Sequence, residues 1–209
     1  LYPEGFDSRD IEVRMRLRLP EGWRAATSLA RDGDENDWIA YEAVTLEDIV
    51  DSPILCGRYL KTIPLAASNG PMAYLHVAGS TESAVETDDA IREEFTRLMA
   101  EAYALFGGAP FDEYHFLLAL SDDIPRIGLE HLRSSLNAEG ERDLVDADKR
   151  KDGVAYLLPH ELAHAWCGKW RRPEGMTTAR FHEPLRTSQL WIYEGLDQYL
   201  GEVLMVRAG

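Results

Sequence analysis

The stretch Pro159-His160-Glu161-Leu162-Ala163-His164-Ala165-Trp166 decides how this chain is read. On an α-helix, residues i and i+4 share a face with their Cβ atoms about 5–6 Å apart. His160 and His164 can therefore each turn one ring nitrogen toward a common divalent cation. Glu161, one position round from His160, can reach a water on that cation without ligating it. This HExxH pattern equips hydrolytic zinc sites, in which the metal lowers the pKa of water toward about 7 and the glutamate acts as base. Three fixed residues make a short signature, and two histidines on a buried helix can also be unrelated to any ion. The rest of the chain has to weigh in.

A catalytic zinc keeps three protein ligands and an open position, so one more ligand is needed. Two downstream carboxylates compete. Glu183 lies nineteen positions after His164 but precedes Pro184 in a loop-like stretch with Arg180, Phe181 and His182. Glu194 lies within Leu190-Trp191-Ile192-Tyr193-Glu194-Gly195-Leu196-Asp197-Gln198-Tyr199-Leu200, an aromatic-rich run that can form a helix after a Thr187 or Ser188 cap. Helices hold ligands more precisely than loops do, which favours Glu194. Asp197, one helical turn further, reads either as a hydrogen-bond partner for a ligating imidazole or as a solvated surface charge.

The segments HELAHAWCGKWRRPEGM and LWIYEGLDQYLGEVLMVRAG resemble the catalytic core of the glycyl aminopeptidase family, a thermolysin-like group of zinc peptidases. Gly128-Leu129-Glu130-His131 resembles the family's G-x-E-H motif, and FGGAPFDEYHFLLALSDD before it also reads like family sequence. The likeness extends over roughly residues 100–209. Arg126 and Ile127 depart from it where glycines are common, and Cys167 departs where asparagine is usual. The resemblance implies a Zn2+ cofactor and a peptide substrate with a free N-terminus, from which small residues (Gly or Ala) are released. It also implies that Glu130 binds the substrate's α-amino group, beside Gly128 and His131 on a strand that receives the peptide by backbone hydrogen bonds. His131 could stabilise an oxyanion or simply pack. Related enzymes use a tyrosine on a later helix for the oxyanion, and this chain is expected to end before it. A following PDZ domain and a periplasmic or secreted location are further implications of kinship.

Composition narrows the rest. The chain has 209 residues with a formal charge of −15 and 45% hydrophobic residues. So acidic a balance argues against a nucleic-acid partner, since phosphate binding needs a basic face. No run of eighteen apolar residues exists to span a membrane. Cys56 and Cys167 are too few for a disulfide framework and lack metal spacing. His76, His115 and His182 also lack ligand spacing and read as structural. Arg171 and Arg172 read as a solvated pair. The opening Leu1-Tyr2-Pro3 and the close on Val206-Arg207-Ala208-Gly209 read as those of an excised fragment.

The expected fold class is α+β: a thermolysin-like core of mixed sheet, HExxH helix and ligand helix, preceded by the end of a β-sandwich. Residues 1–66 are assigned to the sandwich and 67–209 to the catalytic domain, truncated at its C-terminus. Ile11, Val13, Met15, Leu17 and Leu19 alternate with Glu12, Arg14, Arg16 and Arg18, as a half-buried strand requires. Residues 57–66, 72–79 and 113–120 read as strands, and Gly128–Leu136 as an edge strand. Thr87-Asp88-Asp89 opens a helix whose stripe Ile91, Phe95, Leu98, Met99, Ala102 and Phe106 ends at Gly107-Gly108. Pro159 removes an amide donor, so the zinc helix either kinks there or starts just before His160. Two other functions stay open: a zinc endopeptidase, and a peptide-binding fragment without turnover.

Overall fold

The computed structural model describes residues 2–209; Leu1, where the sandwich assignment begins, lies outside them. The first part is a set of short strands. β1 (Glu12–Val13) pairs with β6 (Val44–Thr45), and β2 (Arg16–Leu17), β5 (Trp38–Tyr41) and β4 (Arg31–Glu35) form a three-stranded antiparallel sheet. β3 (Arg24–Ala26) pairs with β7 (Leu55–Gly57). The alternation over residues 11–19 survives in the burial of the side chains, but its ladder breaks into β1 and β2, which pair with different partners. Helix α1 (Leu46–Val50) starts from a capping box in which Thr45 and Asp48 satisfy each other's amides, and it ends at Asp51.

A five-stranded sheet in the order β11-β12-β10-β9-β8 forms the centre of the rest. Its strands are β8 (Tyr59–Leu65), β9 (Met72–Gly79), β10 (Glu113–Leu120), β11 (Ile127–Glu130) and β12 (Ser134–Glu139). β9, β10 and β12 run parallel, while β8 and β11 close the two edges antiparallel. The stretch expected to be one edge strand over 128–136 is therefore a hairpin, because the turn at 131–133 folds β12 inward beside β10. One face of the sheet packs on helix α2 (Asp89–Phe106), which Asp88 caps by accepting from the Ile91 amide at 3.0 Å and Gly107 ends in a left-handed turn.

Helix α3 (Ala147–Asp152) is followed at Gly153 by helix α4 (Val154–Ala163). The break falls at Gly153, whose backbone is non-helical, and α4 runs on through Pro159. The proline forfeits only the bond to Ala155 and is itself buried. Beyond His164 the helix widens, with Lys169 N donating to His164 O at 2.8 Å, and it unwinds at Cys167 and Gly168. Helix α5 (Leu190–Ala208) follows a tight turn at Thr187–Gln189, and no side chain caps it. Val154, Leu158 and Leu162 of α4, Phe95 and Met99 of α2, and Leu75, Phe116 and Leu118 of the sheet share one core with Leu204 of α5. No helix among the described residues is long and apolar enough to cross a membrane.

His76 and His115 lie buried side by side on β9 and β10. Thr62 Oγ1 is 2.9 Å from His76 Nδ1, and His76 Nε2 is 3.0 Å from His115 Nδ1. Burial pushes both imidazoles down to about 4. In the unfolded chain they take up protons near pH 6.5, so their contribution to stability is complete above that pH. It is lost as the pH falls toward about 4. Denaturant melts between about pH 7 and pH 4 should show this loss, and the slope in His115→Gln should be shallower by about one proton.

Candidate metal centre and its carboxylates

The parallel strands and α2 provide a rigid floor for α4, and α5 crosses α4 at close range. The approach depends on Gly201, where a Cβ would meet the His160 backbone Cα at 2.9 Å and N at 3.0 Å. That contact sets the facing sides of the two helices against each other. His160 Nε2 and His164 Nε2 are 3.1 Å apart, and Glu194 Oε2 is 3.6 Å from each. Among the described residues this is the one group of three histidine, cysteine or acidic side chains whose ligand atoms all lie within 4.8 Å of one another. Glu183 stays outside it and pairs with Arg180 at 3.7 Å.

Around this triangle the charge is mostly negative. Asp197, fully buried, brings Oδ2 to 2.8 Å from His164 Nδ1, though not in hydrogen-bond alignment. Burial would depress the His164 imidazole, but Asp197 first, then Glu130 and Glu161, raise it overall. His160 is lowered by burial and by its neighbour His164. Glu161 is buried, and its carboxyl is pushed up to about 7, chiefly by loss of solvent; His164 opposes the rise, while Glu130, Glu194 and Asp197 add to it. A carboxyl poised near neutrality beside two imidazoles can exchange a proton with a bound water.

The hairpin supplies the other wall. Alternation along β11 turns Gly128 and Glu130 inward and leaves Ile127 and Leu129 exposed. A Cβ at 128 would lie 2.1 Å from Glu161 Oε1 and 2.6 Å from Leu157 Cδ1, so any side chain there has to push the ends of both residues aside. Tyr193 OH donates a hydrogen bond to Glu130 Oε1. That bond, with help from His164 and Lys169, outweighs burial and keeps the Glu130 carboxyl below its usual range. His131 turns away from the triangle: its Nδ1 lies 3.2 Å from Asp51 Oδ1, and its Nε2 is buried without a partner. Asp51 also accepts from Leu132 N at 2.9 Å and pairs with Lys169 Nζ at 2.5 Å. Arg126, which departs from the family pattern, bonds Glu139 and Asp143 and anchors the entry to β11.

The remaining candidates lie elsewhere. Arg171 sits over the Trp170 ring at 4.8 Å, and His182 Nδ1 is 2.9 Å from Tyr2 OH. Cys56 and Cys167 are free. Sequence reasoning gave Tyr193 no part in the site. The signal was present, because Tyr193 and Asp197 are spaced i, i+4 and so share the helix face that touches His164.

Solved structures share this fold. An M1 zinc metallopeptidase from Deinococcus radiodurans overlays with a TM-score of 0.57 at 19% identity, across 94% of this chain and 40% of that one, a likeness of fold. A crystal structure of an aminopeptidase N family protein from Idiomarina loihiensis overlays with a TM-score of 0.85 at 25% identity, across 99% of this chain. The chain spans 35% of the length of that protein. None of the curated proteins matches. The chain belongs to the M61 glycyl aminopeptidase family: residues 154–209 match the family itself, and residues 1–58 match the Peptidase M61 N-terminal domain.

Two glycines give opposite expectations. Gly128→Ala should destabilise by about 1–3 kcal/mol in chemical denaturation, because Glu161 or the hairpin must move. Gly195→Ala, on a helix where a Cβ meets nothing, should stabilise by about 1 kcal/mol.

Proposed function

We propose that this chain carries the catalytic centre of a zinc-dependent aminopeptidase that releases small N-terminal residues, glycine or alanine, from peptides. The observation that carries the proposal is the triangle of His160, His164 and Glu194 with Glu161 beside it. Tetrahedral zinc at a Zn–N distance of about 2.0–2.1 Å sets its ligand atoms about 3.3–3.4 Å apart. The edges of 3.1, 3.6 and 3.6 Å fit that spacing. The carboxylates crowded around two imidazoles also call for a cation. Family membership and the fold shared with M1 zinc metallopeptidases support the same reading.

When bound, zinc would supply a Lewis acid and make water a nucleophile at neutral pH. The chain's own residues do the rest. His160, His164 and Glu194 hold the ion, and Asp197 steadies His164 from behind. Glu161 takes a proton from the attacking water and returns it to the leaving amine. The outer edge of β11 offers backbone groups to the peptide as an added strand. Glu130, held ionised, meets the substrate's α-ammonium, which needs an anionic partner beside a metal. Gly128 leaves room for this approach. In the same reading residues 1–66 are the end of a β-sandwich whose last strand, β8, joins the central sheet. Residues 67–209 then form the thermolysin-like catalytic part.

Full-length protein should contain one zinc per chain and hydrolyse glycine or alanine anilides. Glu161→Gln should retain zinc and lose about 10²- to 10⁴-fold in kcat. Glu130→Ala should abolish the preference for free-amino over blocked substrates. Stoichiometric metal without any hydrolysis would reduce the function to peptide binding. Asp197→Ala should weaken zinc about 10- to 100-fold in chelator competition.

A further inference from the structure

Tyr193 has three neighbours that ordinary packing does not explain. Its hydroxyl donates to Glu130 Oε1, across the gap between α5 and the edge strand. Its ring lies against the His164 imidazole, with centroids 4.7 Å apart and planes 32° apart. Its phenol end fills the space left by Gly168, where a Cβ would lie 2.9 Å from Cε2 and Cζ and 3.0 Å from the hydroxyl oxygen. The side chain is nearly buried, so the hydroxyl has little water to turn to. One phenol thus joins the helix that carries Glu194, the end of the helix that carries both histidines, and the inward carboxylate of the hairpin.

A carboxylate has two oxygens and rotates about its side-chain bonds. Bonding Oε1 to a buried phenol fixes that rotation and leaves Oε2 as the free acceptor. The donor is a rigid aromatic whose position is set by His164 and Gly168, so the free oxygen keeps a fixed relation to the imidazoles. We infer that Tyr193 is the positioning residue that presents Glu130 to the α-amino group of the substrate, so that amine recognition is referenced to the metal-binding helices through a single hydrogen bond. This inference rests on the proposed aminopeptidase reading. Tyr193 touches no reacting atom in it, and the cost of losing the hydroxyl falls on binding of the amine.

The test uses full-length protein and two substrates: glycine p-nitroanilide and the analogue in which a hydroxyl replaces the α-amine. Tyr193→Phe keeps the ring against His164 and removes only the donor. It should raise KM for the glycine substrate about ten- to a hundredfold, as expected for a lost hydrogen bond to a charged group. kcat and zinc content should stay near wild type, and the preference for amine over hydroxyl should collapse. Gly168→Ala reaches the same bond without deleting a polar group, because its methyl displaces the phenol end, and it should erode the same preference. Wild-type kinetics in Tyr193→Phe would overturn the inference while leaving the aminopeptidase reading intact. So would an equal loss on both substrates accompanied by loss of zinc, since Tyr193 would then serve His164 alone. If the wild type hydrolyses neither substrate, the aminopeptidase reading fails and this inference falls with it.

Discussion

Four acidic side chains and two imidazoles share the junction of α4, α5 and β11, and that junction constrains everything around it. Water cannot screen a group as buried as Glu161 or Asp197, so each carboxyl is governed by its neighbours. Glu161 is driven up to about 7, Glu130 is held ionised by a phenol, and Asp197 leans on His164. Such a cluster stays in place only if the elements that carry it cannot drift apart. The parallel β9-β10-β12 core under α2 and α4 and the glycine contact between α4 and α5 provide that rigidity.

Much of this was legible in the sequence, where period and spacing correspond to geometry. The helical stripe from Ile91 to Phe106, with Asp88 before it and Gly107 after it, marks α2, because amphipathicity and caps are local properties. The i, i+4 histidines share a face because a helix has one pitch. Glu194 was preferred to Glu183 on stiffness alone, and it is the one that stands within 3.6 Å of both imidazoles. Gly128 and Glu130, two residues apart, face the same way for the simplest reason in a strand.

Other features were not legible, because they depend on contacts between distant segments. The chain breaks at Gly153, whose backbone is non-helical, and α4 accommodates Pro159 in its interior. The hairpin turn at 131–133 brings β12 beside β10, a parallel pairing that no local pattern encodes. The partner of His131 lies eighty positions earlier, at Asp51. The i, i+4 spacing puts Tyr193 on the face toward His164, but its hydrogen bond to Glu130 is visible only once α5 faces the edge strand.

The Asp51 carboxylate ties together parts of the chain that belong to different matched segments. It stands at the end of α1, within the stretch that matches the N-terminal domain, yet it holds the His131 ring, the Leu132 amide and the Lys169 ammonium. These belong to the tip of the hairpin that carries Glu130 and to the segment just past the paired histidines. The seam between the two matched parts of the chain therefore runs beside the hairpin that carries Glu130. Chimeras that exchange the first sixty or so residues among relatives would inherit a different clasp on that hairpin, so evolution has a route to reshaping the surroundings of the paired histidines from a segment remote in sequence.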